Sequence, residues 1–86
     1  MAIELPAAVQ QELTRLLDNW TGALLSRSRV IDDLLDLRAA VAAHPAAQAR
    51  VDRALGDLPG QNLVAREWAA EVVADVAATF GTVQVG

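Results

Sequence analysis

Between Pro6 and His44-Pro45 the chain places an apolar residue at nearly every position where an α-helix would return to the same face, and this stripe constrains the fold more than any other feature. Val9, Leu13, Leu16, Leu17, Trp20 and Leu24 open it at helical spacing. Advancing about 100° per residue from Leu13, the residues Ile31, Leu34, Leu35 and Ala42 stay within about 60° of the same line, with no phase jump at Gly22. Gly22 falls on the opposite, wet face, where it costs only about 1 kcal/mol against alanine. The pattern predicts one helix over about 6–43, opened by Pro6 in its first turn and stopped by His44-Pro45, because a residue before proline avoids the helical region. Two helices broken near residues 22–28 are the alternative.

Such a helix would be about 55 Å long. A compact chain of this size has a radius of gyration of about 12 Å. Two short helices cannot cover so long a stripe, so the reading calls for a second copy of the chain. The expected fold class is therefore all-α: one long N-terminal helix plus two shorter helices in an intertwined helical dimer.

The remainder reads as two further helices. Pro45 opens a short one through about residue 55, with Ala47, Val51, Ala54 and Leu55 inward and Gly56 as its stop. Asp57-Leu58-Pro59-Gly60 reads as a turn. Asn62 would cap a last helix over about 62–80, striped by Ala65, Trp68, Val72, Val76 and Phe80, with Glu67, Glu71 and Asp75 as a solvated acidic ridge. A short tail, 81–86, follows. No internal repeat is evident, and the 86 residues form one domain.

Composition narrows the function. Hydrophobic residues are 53% of the chain, yet alanine supplies 18 of them and only two tryptophans and one phenylalanine are aromatic, so the core is thin. Without cysteine there are no disulfides, thiol catalysis or cysteine zinc sites, and a single histidine, His44, argues against a histidine metal centre. The net charge of −4 argues against nucleic acid or an anionic membrane as partner. No apolar run reaches membrane-span length, and the expected localisation is cytoplasmic. All seven basic residues are arginine, as in a GC-rich bacterial gene.

Two of those arginines do not suit a plain bundle. On a continuous helix Arg27 and Arg38 project at about −40° and −20° from the centre of the stripe, among Leu24, Ile31, Leu34 and Leu35. An unpaired buried charge costs several kcal/mol. The two heads would lie about 16 Å apart along the helix and could hold one small anion between them. Arg50, at the edge of the next helix, could add a third cation. A carboxylate ligand suits such a pocket, because guanidinium groups hold carboxylates bidentately. The competing structural reading has the arginine stems covering apolar surface, or the heads pairing with Asp18, Asp52 or Asp75 across a dimer interface.

Other chemistry is not supported. There is no glycine-rich phosphate loop, no credible Ser/His/Asp set and no metal or acid–base carboxylate pair, and no cofactor is implied. Ser28 reads as a tolerated small polar residue, and Trp20 and Trp68 as core.

Leu16-Leu17-Asp18, the run Ala23-Leu24-Leu25-Ser26-Arg27-Ser28-Arg29-Val30, then Arg38 and His44-Pro45 together resemble the all-helical chorismate mutases of the AroQ class. That family has one very long first helix, two shorter ones and an intertwined dimer. The resemblance implies that Arg27 (or Ser28 in a shifted register) and Arg38 face the substrate, in the places of a family arginine and lysine. It also implies that Arg50 matches an arginine of the second helix and that Gln84 contacts the ether oxygen. A first-helix arginine of the family is replaced by Gln10 or Gln11, which would be substrate-binding here, and the family's glutamate after the second-helix arginine is Val51. The implied activity is a cofactor-free pericyclic rearrangement of chorismate or a related shikimate-branch dicarboxylate, with Arg27, Arg38 and Arg50 clamping the two carboxylates. The alternative from a different class is a non-catalytic helical homodimer or adaptor that mediates protein–protein interaction.

Overall fold

The computed structural model describes residues 6–80. Four helices and two three-residue strands follow one another as α1 (Ala7–Asn19), β1 (Leu24–Ser26), α2 (Arg27–Ala40), α3 (Pro45–Asp57), β2 (Leu63–Ala65) and α4 (Arg66–Ala78). The order is helix–strand–helix, twice.

All four helices share one apolar rhythm. Val9, Leu13, Leu16 and Trp20 serve α1, Val30, Leu34, Leu37 and Val41 serve α2, Ala47, Val51, Ala54 and Leu58 serve α3, and Ala69, Val73, Val76 and Phe80 serve α4. Each set steps by four, three and four residues, the spacing of a single helix face, and its last member closes the helix just beyond the final turn. Fourteen of the sixteen are buried, and Leu58 and Phe80 are half-buried. Helix α1 packs on α2, α2 on α3 and α3 on α4, so a single core forms within one chain.

The strands close the other end. They pair antiparallel with Leu24 opposite Ala65, Leu25 opposite Val64 and Ser26 opposite Leu63. Leu25 and Val64 point into the core while their neighbours face outward. The Arg27 N–H donates to the Asn62 carbonyl at 2.8 Å and the Arg66 N–H to the Ala23 carbonyl at 2.9 Å, carrying the ladder into the first residue of each following helix.

The long first helix is not present. The chain leaves helical geometry at Trp20 (φ −90°, ψ 81°), and Gly22 takes φ +88°, a left-handed conformation open to glycine at little cost. Two gains outweigh an unbroken helix: Trp20 is buried with its indole bonded, and Leu25 is buried against β2. The phase continuity across Gly22 was a coincidence of an apolar-rich stretch. The buried face of α2 is Val30, Leu34, Leu37 and Val41, whereas Leu24 and Leu35 are half exposed. At about 20 Å, α1 is covered by its own chain, and the radius of gyration is 12.7 Å. A second, intertwined copy is therefore not needed to cover the apolar face of α1.

Helix α3 starts with Pro45 at its first turn, and His44 before it stacks edge-on against Phe80, with ring centroids 4.9 Å apart. Helix α4 begins at Arg66 rather than near Asn62, because residues 63–65 are drawn into the strand pair. The repeat unseen in the sequence is structural. A shift of 38 residues carries the α1 set onto the α3 set, and a shift of 39 carries β1 and α2 onto β2 and α4.

Candidate functional site

The arginines expected to converge are each committed elsewhere. Helix α2 begins at Arg27, whose Nε donates to the Pro59 carbonyl at 2.9 Å and ties the start of α2 to the loop before β2. Arg38, in the last turn of α2, is exposed and donates from Nε to Asp52 Oδ1 of α3 at 2.5 Å. That hydrogen bond, ahead of the Coulombic attraction of the same carboxylate, raises the Arg38 pKa above its ordinary value. Arg50 of α3 lies 3.7 Å from Asp75 of α4. Asp52 and Asp75 were partners open to the arginines in the sequence, and both pairs form within one chain.

Arg50 lines a small hollow of about 110 Å³ with Arg53, Asp57, Trp68 and Asp75, and neither Arg27 nor Arg38 reaches it. Gln10 and Gln11 are exposed on α1, beside an open groove of about 520 Å³ that they share with Thr14, Arg15 and Asp18. Ser28 is exposed, its Oγ 3.0 Å from that of Ser26. Gln84 lies outside the described residues. The described members of the expected site are thus distributed over three helices with separate partners.

The buried polar group is one that sequence reasoning missed. Asp33 of α2 is 6% exposed and accepts the Trp20 indole N–H at 2.8 Å, while Arg15 Nη1 stands 3.7 Å from its other oxygen. Arg15 also bonds Glu12 and reaches Asp36 at 3.3 Å. Its pKa is raised, first by the Glu12 hydrogen bond and further by the three carboxylates around it. A buried carboxylate needs such partners. Here they latch the end of α1 to α2. No spacing rule relates Trp20 to Asp33, so only the fold could reveal the pair.

Metal chemistry finds no donor set among the described residues. A helix–loop–helix unit is the frame of an EF-hand, whose 12-residue loop requires oxygen ligands at alternate positions and a bidentate glutamate at the twelfth. Counting twelve from Asp18 and from Asp57 ends on Arg29 and Trp68, and the intervening loops supply neither that glutamate nor a carboxylate series. No helix is long and apolar enough to cross a membrane among the described residues.

What the surface does offer is apolar. Leu17, Leu24, Leu35 and Leu63 are each about half exposed. No protein-family model matches this chain, and neither does any curated protein or solved structure.

Proposed function

We propose that this chain is a non-catalytic interaction module, a small helical unit that works by presenting a surface to another protein. The observation that carries this reading is the fate of the arginines. Arg38 and Arg50 are matched to Asp52 and Asp75, and Arg27 is bonded to a backbone carbonyl, so the three do not form a clamp for a dicarboxylate. Leu17, Leu24, Leu35 and Leu63 are about half exposed, and a contiguous exposed apolar patch on a small protein supports a contact surface. Chorismate mutase-like turnover is the competing proposal, and it rests on the sequence resemblance alone.

The two readings separate in one assay. Purified protein is incubated with chorismate and the products are identified by mass and retention time, with Arg38→Ala as control. We expect no prephenate and no shift of the melting temperature with chorismate, prephenate or malate. A ligand at about 100 times its Kd adds about 2.7 kcal/mol, a shift well within detection. Prephenate formation that disappears in Arg38→Ala would overturn the module reading.

A further inference from the structure

The outward face of the strand pair differs from the rest of the surface in two respects. Ordinarily the solvent side of a two-stranded antiparallel pair is polar. Here three of its four side chains are apolar: Leu24, 58% exposed, and Leu63, 50% exposed, with Ala65 directly opposite Leu24 and Ser26 opposite Leu63. The register places the two leucines as diagonal neighbours, about 7–8 Å apart, so they form one patch.

The charge around this patch is the second respect. Arg15, Arg38, Arg50 and Arg53 each pair with a carboxylate. Among the described residues, the arginines with no carboxylate partner are Arg27, Arg29 and Arg66. All three lie in the first turns of α2 and α4, where the chain leaves the two strands. Both helices direct their N-terminal partial positive charge to this end. Glu67 and Asp32 are the nearest acids in sequence, and neither forms an ion pair with these arginines. In a protein of net charge −4, the described arginines without a carboxylate partner thus all stand in the first turns that follow the two strands.

We propose that this face, Leu24, Leu63 and Ala65 framed by Arg27, Arg29 and Arg66, docks a short acidic segment of a partner protein that carries apolar side chains. The inference rests on the module reading and names the partner's chemistry. Apolar side chains of the segment cover the leucines, and its carboxylates meet the guanidinium groups of Arg29 and Arg66, which have no carboxylate partner, and that of Arg27, whose Nε alone is bonded to the Pro59 carbonyl; arginine is among the residues most enriched at interfaces. An anionic membrane would meet the same patch but also the acidic body behind it, which a short segment avoids.

The test is a selection of random twelve-residue displayed peptides on the immobilised full chain, followed by titration of an enriched peptide by fluorescence anisotropy. The expected pool is acidic with apolar residues, and its binding weakens as salt rises. Two double variants, each checked for unchanged circular dichroism, locate the site: Leu24→Ser with Leu63→Ser, and Arg29→Glu with Arg66→Glu. Each is expected to lower affinity by about tenfold or more. Should the leucine variant fail to fold, the arginine variant decides alone, since both of its positions are exposed. A basic pool, no enrichment, or binding indifferent to the variants would overturn this assignment. The module reading falls separately, through turnover of chorismate. Dimerisation broken by the same changes would give the face to a second copy, and cosedimentation with phosphatidylserine vesicles in place of peptide binding would give it to a membrane. Either would overturn the proposal.

Discussion

The two helix–strand–helix units occupy equivalent places but are built of different material. The first buries Leu13, Leu16, Trp20, Leu34 and Leu37 where the second has Val51, Ala54, Leu58, Val73 and Val76. Inside the first unit a carboxylate, Asp33, holds the Trp20 indole, and the equivalent positions of the second are Val72 and Leu58. The first unit turns through Gly22 at φ +88°, whereas Gly60, its equivalent, is not at positive φ. Each unit ties its two helices with an arginine–aspartate pair at equivalent aspartates, Arg15–Asp36 and Arg50–Asp75, and the first adds Arg15–Asp33. Large side chains and a buried polar latch hold one half, and mostly smaller side chains without a buried latch hold the other. The difference teaches that the shared frame is set by the spacing of inward positions rather than by what fills them.

Core truncations are the strongest way to sharpen that contrast. Leu16→Ala and Leu34→Ala, both at fully buried positions, are expected to cost about 2–5 kcal/mol each by urea denaturation. Val76→Ala, equally buried in the second unit, removes less volume and is expected to cost about 1.5–2 kcal/mol. Equal losses in both units would break the comparison.

A double-mutant cycle addresses the latch. Asp33→Val alone leaves the buried Trp20 N–H without an acceptor and is expected to cost about 1–3 kcal/mol. Trp20→Leu alone leaves the Asp33 carboxylate without its indole donor. Both together give the first unit the residues of the second, and the double variant is expected to be more stable than the two losses would sum to. Strict additivity would show that the pair is not a coupled unit.

The glycines give a smaller effect of defined sign. Gly22→Ala forces a Cβ into a left-handed conformation and is expected to destabilise by about 1 kcal/mol, although the space around it is open. Gly60→Ala meets nothing within 4 Å and needs no such conformation, so its melting temperature should hold or rise slightly. At the bottom of the scale, Asp36→Asn and Asp75→Asn are expected to cost less than about 1 kcal/mol each, since both carboxylates are more than half exposed. The raised pKa values of Arg15 and Arg38 leave both guanidinium groups protonated throughout the physiological range, so the titration of neither arginine makes stability depend on pH there.

Much of the helical character was legible, and the break was not. Pro45 and the inward set Ala47, Val51 and Ala54 placed α3 close to its observed bounds, although the helix does not stop at Gly56 but runs through it to Asp57. Strands of three residues are too short to leave an alternating pattern, so Leu24–Ser26 read as more helix. The repeat was hidden because leucine in one unit stands against alanine or valine in the other, and because one extra residue before β2 shifts the register from 38 to 39. Arg27 and Arg38 stood out as charges on the apolar stripe of one long helix, whereas Arg38 is exposed and paired with Asp52, and Arg50, read as a third cation, meets Asp75. Which partners they found depended on α2 lying against α3 and α3 against α4, and a wheel drawn for one long helix cannot contain that information.

The pairing of Leu25 with Val64 has a consequence for how the molecule comes apart. Each unit leaves one short strand unpaired and one apolar side chain bare unless the other unit is folded beside it. Neither half is an autonomous folding unit in that sense. Opening the ladder separates residues from opposite halves of the chain, so the backbone amides of Leu25 and Val64 should exchange with deuterium only when the whole protein unfolds. Those two amides would report global stability from the seam where the two units meet.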